Sequence, residues 1–210
     1  RLGHEPAIEL PVLDGLRVPS YDRVNGASIS WGPILRPTAR LEIDPTVTYR
    51  SHLGDWDPGV HMLVSAGEIW RLTLDARRAT FTNEEWINSD FINSITTFSV
   101  GSDKRNYYRA DRVEAAVGRI DRVTIAPTTS VELETYAGAL TERAWSVGSP
   151  DTLGSHPWTV LNQSDPENVR RANPPIEPGR ISAAFLGATA RWRYGDVTAG
   201  AIARINRGRP

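Results

Sequence analysis

The sequence predicts an all-β chain: an antiparallel up-and-down transmembrane β-barrel, or an incomplete piece of one. Three observations carry the prediction. Apolar and polar side chains alternate with a period of two in segment after segment, as on a strand whose faces meet different phases. Arginine and carboxylate residues share the polar parity. No apolar run approaches the roughly 20 residues of a membrane-crossing helix, a length that tilted strands do not need. Between Arg40 and Arg50 all of this is visible at once: Leu41, Ile43, Val47 and Tyr49 lie on one parity and charged or hydroxylated residues on the other. Pro45, on the apolar parity, cannot donate a ladder hydrogen bond, so the strand should be bulged or lie at an edge there.

Composition narrows the classes. Lysine and arginine total 24 against 25 aspartate and glutamate, a balance that gives no surface for nucleic acid. The chain has no cysteine, which removes disulfides and thiolate chemistry without fixing the compartment. The opening Arg-Leu-Gly-His-Glu-Pro lacks the apolar region of a signal peptide, and a start at Arg1 with an end at Arg209-Pro210 suits a mature piece or a fragment.

Residues 1–20 read as a lead-in and 21–210 as barrel strands. Ala27, Ile29 and Trp31 alternate with Ser28 and Ser30, and Gly32-Pro33 and Arg36-Pro37 mark the connection of a first hairpin. Val60, Met62, Val64 and Ala66 turn at Gly67-Glu68 into Trp70, Leu72, Leu74 and Ala76. These last four alternate with Arg71, Thr73, Asp75 and Arg77, whose two arginines and aspartate are too costly to bury unpaired and so are expected in water. The alternation of Ser94, Thr96, Phe98 and Val100 with Ile95, Thr97 and Ser99 predicts another strand, and a further run leads from Tyr107 through Val113, Ala115 and Val117. Val131, Leu133, Thr135 and Ala137 oppose Glu132, Glu134 and Tyr136. The stretch 146–179, rich in proline, asparagine and serine, reads as a long surface loop, far beyond the median of about 4–6 residues. Ala184 to Tyr194 and Val197 to Ile205 form a last amphipathic hairpin, with Trp192 and Tyr194 placed as interfacial girdle residues. These make about nine strands of roughly 9–11 residues. An odd number is unexpected in a single-chain barrel, and a break near Pro127 would supply another strand.

Two segments resemble a known family. Tyr21-Asp22-Arg23-Val24-Asn25-Gly26 looks like the entry to the barrel of the bacterial surface-antigen superfamily. Thr82-Asn83-Glu84-Glu85-Trp86-Ile87-Asn88-Ser89-Asp90-Phe91-Ile92-Asn93-Ser94, followed by Gly101-Ser102-Asp103-Lys104-Arg105-Asn106-Tyr107-Tyr108-Arg109, is similar to a hairpin in barrels of that superfamily and of related uncharacterised outer-membrane β-barrel families. The resemblance covers about Tyr21 to Val117. It implies residence in the bacterial cell outer membrane, a structural or transport role extending to protein insertion or export, and outer-membrane lipids, client proteins or small solutes as partners.

The candidate site is a set of lumen-facing charges: Arg71, Asp75, Arg77, Arg109, Asp111, Glu132, Glu134, Arg191 and Arg193, with Arg112 beside them, forming ladders that hold a barrel interior or filter solutes by charge. The bland reading is the solvated face of a soluble sandwich, where such pairs contribute little. Enzymatic readings find little footing. Adjacent Glu84 and Glu85 point apart on a strand, unlike a glycosidase pair across a cleft. His4, His52, His61 and His156 lack metal-like spacing, and Asp55, Asp57 and Asp111 lack the further ligands of a calcium loop. No catalytic residue, cofactor or metal is therefore expected. The rival class is a soluble secreted β-sandwich binding carbohydrate through Trp56, Trp86, Trp145 and Trp158.

Overall fold

The computed structural model describes residues 6–12, 14–84, 87, 89–147, 173–194 and 197–209. The described chain is all-β except for one helix. Its strands are β1 (Ile8–Glu9), β2 (Ser20–Asp22), β3 (Gly26–Trp31), β4 (Ile34–Thr38), β5 (Leu41–Arg50), β6 (Asp55–Ala66) and β7 (Trp70–Phe81), then β8 (Tyr108–Ala126), β9 (Thr129–Ser146), β10 (Gly179–Tyr194) and β11 (Val197–Arg209), with α1 (Asp90–Val100) between β7 and β8. They form one antiparallel sheet in the order β1-β4-β5-β6-β7-β8-β9-β10-β11, with β3 also on β5 and β2 on β3. From β5 onward each strand pairs with the next in sequence, so the up-and-down order holds. Closure does not: the sheet is open, with β1 at one end and β11 at the other, and the expected closed barrel is corrected to a long curved wall.

Three further expectations change. The segment around Ser94–Val100 is helical, because Ser89 accepts a hydrogen bond from the Ile92 amide at 3.3 Å as an N-cap and Gly101 closes the helix at φ 74°, its N–H donating to the Thr97 carbonyl. Capping at both ends decides the conformation over a chance alternation of serine, threonine and apolar residues. Gly32-Pro33 is a kink rather than a hairpin turn: β3 pairs Val47–Arg50 of β5, and β4 pairs Leu41 and Ile43 of the same strand. Opposite Pro45 that side of the ladder is interrupted, while the β6 side pairs Pro45 with Val60 without a break. A Cβ on Gly32 would lie 1.9 Å from the Pro45 carbonyl oxygen, so only glycine fits this approach. From β6 onward the strands are also longer than a bilayer needs, with 19 residues in β8 and 18 in β9, whereas β3 and β4 have only 6 and 5. The break at Pro127 is present, between Ala126 and Thr129. Most of the 146–179 loop lies outside the described residues, and the lead-in carries β1, paired to β4.

The registers sort the side chains onto two faces. Leu41 pairs Val64, Val64 pairs Leu72, and the same row continues through Val117, Ala137, Leu186 and Ile205. Seven neighbouring strands thus contribute seven apolar residues to one line, and the line is open: Leu72 is 47 % exposed, Leu186 67 % and Ile205 77 %. Leu41 is the first residue of the apolar run in β5, whereas Ile205 comes late in β11, so the belt slants across the strands. The opposite face buries small residues and one ring, Ala79, Ala110, Ala116, Ile120, Ala144 and Phe185, beneath charged side chains. Away from the sheet, Val24, Tyr107 and Val147 pack together with Leu53.

Candidate functional site

The polar face is concave. Arg204 of β11 donates to both carboxylate oxygens of Glu114 on β8, at 2.9 and 3.0 Å, with its guanidinium 3.7 Å above the Phe185 ring. On a flat sheet these residues would stand about 14 Å apart across the strands and about 13 Å along them. Only a sheet curled around this face brings them together. Crowding within the curl is relieved by glycines: a Cβ on Gly187 would meet the Tyr136 ring at 2.3 Å, and one on Gly138 would meet Phe185 at 2.4 Å. Each aromatic side chain therefore lies over a glycine of the adjacent strand, an arrangement that pins register.

Most of the sequence-predicted charges line this trough. Arg71 reaches over Gly118, which has no side chain to obstruct it, to within 3.7 Å of Glu134. Asp75 meets Arg77 at 3.1 Å and His61 at 3.6 Å. Glu132 takes Arg122 at 2.5 Å and Arg191 at 3.3 Å, and Arg193 stands exposed on the same parity. Sequence reasoning passed over Glu114, Glu142 and Arg204. Arg112 contacts Glu142 at 2.6 Å, and Glu114 and Arg204 close the curl. A cavity of about 520 Å³ lies among His61, Asp75, Arg77, Arg112, Glu114 and Arg204. It presents both signs of charge, which suits water better than an apolar ligand.

Arg109 and Asp111 are corrected. On β8 they alternate with Arg112 and Glu114, so they belong to the opposite parity. Asp111 pairs on the convex face with Arg78, at 2.7 and 3.1 Å. Arg109 is buried where the β6–β7 ladder stops at Gly59 and Arg77; it donates to Asp57 at 2.6 and 2.8 Å and to Asp55 at 3.0 Å, while Arg50 takes Asp57 from the other side at 2.9 Å. Guanidinium groups thus occupy the three aspartates considered for calcium. Glu84 holds the backbone and side-chain nitrogens of Asn106 at 2.5 and 3.0 Å. Glu85, Trp86, Trp158, His4 and His156 lie outside the described residues. Trp56 packs on Tyr49 with ring centroids 4.9 Å apart, and Trp145 lies under Arg78.

Residues 21–26 and 101–109 meet at one end of the trough. The connections β2–β3, β5–β6, β7–β8 and β9–β10 all fall at this end, and the turns at the other end are short. The fully buried Asp103 accepts hydrogen bonds from the Arg23 and Arg105 amides, both at 3.1 Å, and from the Tyr107 hydroxyl at 2.9 Å. The Arg23 guanidinium donates to the Arg105 carbonyl at 2.6 Å and to Asn173 Oδ1 at 2.7 Å, and Asn173 Oδ1 also accepts the Tyr107 amide at 3.0 Å. Asn93 of α1 donates to the Tyr107 hydroxyl at 3.0 Å, and Thr80 donates to Asn25 at 2.6 Å. This knot of buried polar groups forms a cap over the trough, with a cavity of about 290 Å³ between them.

Burial pushes the Asp22 carboxyl up, opposed by hydrogen bonds from Asn25 and reinforced by Asp103. Burial also raises the Tyr107 hydroxyl, with both carboxylates adding to the effect, and lowers His52. A histidine held below its ordinary value of 6.5 leaves stability intact above that pH, and stability falls as the opened cap takes up the proton. Asp22 works the other way, since its burial is less costly as the pH falls toward its raised value. Amide exchange in 21–25 and 101–107 is accordingly expected to gain extra opening between about pH 7.5 and 5.5, and His52→Gln should flatten that dependence. Identical profiles in the two proteins would show that His52 does not couple to the cap.

No protein-family model, no curated protein and no solved structure matches the chain.

Proposed function

We propose that this chain is part of the wall of a bacterial outer-membrane β-barrel, of the surface-antigen superfamily or a related family. Its convex face meets lipid and its charged trough faces the water-filled interior. The role is structural or in transport: insertion or export of client proteins, or passage of small solutes along the lining of paired charges. The observation that carries this reading is the exposed apolar row from Leu41 to Ile205, on a sheet whose concave side holds most of the ion pairs. Apolar outside and polar inside is the membrane-barrel arrangement. The slant of the belt suits tilted strands. Trp70 and Trp192 near the short turns, with Trp56, Tyr49 and Trp145 near the cap, fit two aromatic girdles, and short turns at one end with long connections at the other fit periplasmic and extracellular sides.

A soluble carbohydrate-binding sandwich would need a second sheet over the convex face, and the described residues supply a single sheet. Its proposed platforms, Trp56 on β6 and Trp145 on β9, are also separated by two whole strands. The test is detergent dependence. The folded chain is expected to need detergent or lipid to stay monodisperse and to migrate faster on gels unheated than boiled. A monodisperse chain in plain buffer, with no heat-modifiable mobility, would overturn the reading.

A further inference from the structure

On the convex face, directly above the belt, Arg78 of β7 pairs Asp111 of β8, Asp111 pairs Arg143 of β9, and Arg143 pairs Arg180 of β10. Four adjacent strands therefore carry three guanidiniums and one carboxylate in a single row. Two residues nearer the belt, the parallel row is Val60, Ala76, Val113 and Thr141. The two rows together line a groove of about 800 Å³. Asp111 is occupied by Arg78 in two hydrogen bonds. Arg143 and Arg180 are exposed, and among the described residues neither is held by a carboxylate. The far border of the belt differs, since Arg119 and Asp121 of β8 balance each other there at 2.9 Å. Among the described residues the surplus positive charge thus lies on one border, beside an apolar floor.

We infer that this groove binds the phosphate-bearing headgroup of an anionic membrane lipid, its acyl chains lying down the apolar belt. The ligand must be anionic to meet a row that carries three guanidiniums and one carboxylate among the described residues, and amphiphilic because the floor below them is apolar and continuous with the Leu41–Ile205 row. Arginine suits phosphate through its planar fork of donors. Charge at such a border attracts anionic lipid with about a fivefold gain per residue. The inference rests on the convex face meeting lipid.

The experiment counts bound lipid by native mass spectrometry on the chain purified in a neutral maltoside detergent, titrated with phosphatidylglycerol or phosphatidylcholine. Phosphatidylglycerol is expected to bind in preference, the Arg143→Gln/Arg180→Gln protein to lose its affinity on the order of tenfold, and Arg143→Lys/Arg180→Lys to keep most of it. Arg119→Gln, on the balanced border, should bind as the unaltered chain does. Heat-modifiable mobility shows that each variant is folded. Equal binding of the two lipids, an unchanged Gln/Gln variant, or displacement by inorganic phosphate at matched concentration would each overturn the lipid site. If the chain proves monodisperse without detergent, the membrane reading itself fails; if it needs detergent but shows no preference between lipids, only this site fails.

Discussion

Replacing Leu72 with arginine is expected to destabilise the folded chain by about 1–3 kcal/mol in lipid or lipid-like detergent, the cost of a charge on the lipid face of a barrel between its interface and its midplane. The sign of this test is unusual. Leu72 is 47 % exposed, and an exposed leucine on a water-facing sheet accepts arginine within about 0.5 kcal/mol. Thr73→Gln, one residue along but turned into the trough, provides the control and should change stability by less than about 1 kcal/mol, because its surroundings there are already polar. Urea midpoints in detergent, read through the shift between folded and unfolded gel mobility, separate the outcomes. Equal effects of the two substitutions would mean that the convex face meets no apolar phase.

Asp103→Ala is expected to have the second large effect, confined to the cap. The carboxylate is completely buried and accepts from two backbone amides and a phenol. Removing it leaves three buried donors unanswered beside the buried Arg23 guanidinium, a loss of about 3–9 kcal/mol at about 1–3 kcal/mol for each orphaned group. The cap touches the sheet mainly at its upper end, so exchange should accelerate in 21–25, 90–107 and around Asn173 while the β8–β9 ladder keeps its protection. Unchanged exchange in those segments would show that Asp103 is not the centre of the cap. Asp103→Asn, which retains one acceptor oxygen, should fall between.

The sheet was legible wherever one face of a strand is charged and the other apolar, as in β5, β6, β7 and β10, because period two is then forced by the pleat itself. Strand β8 was harder: Arg119 and Asp121 interrupt the apolar parity, and Val123 and Ile125 resume it, so the strand reads as shorter than it is. Arg109 and Asp111 were grouped with the trough by charge alone, although counting from Val113 and Ala115 puts them on the belt's parity. Helix α1 carried its own signal in Ser89, Asp90 and Gly101, which outweighs a hydroxyl-rich alternation that a helix tolerates equally well. The cap had no local signal to read. Its contacts join residues 21–25, 80, 90–107 and 173, and hydrogen bonds across such separations leave no periodicity, although the segments quoted for the family resemblance contain most of its members. The balance of charge between the belt's two borders likewise needs the register, since Arg78, Asp111, Arg143 and Arg180 are neighbours only after folding.

The Arg204–Glu114 contact has a mechanical consequence. It joins the outermost strand to one three places inward, so its length is fixed by the radius of the wall, and any flattening must pull the pair apart. Both partners remain partly open to solvent, at 29 % and 22 %, where dissolved ions weaken attraction. Salt thus slackens this one tether while the continuous ladders from β8 to β11 keep the strands joined, so the pair reports the bend of the wall to the surrounding medium rather than setting it.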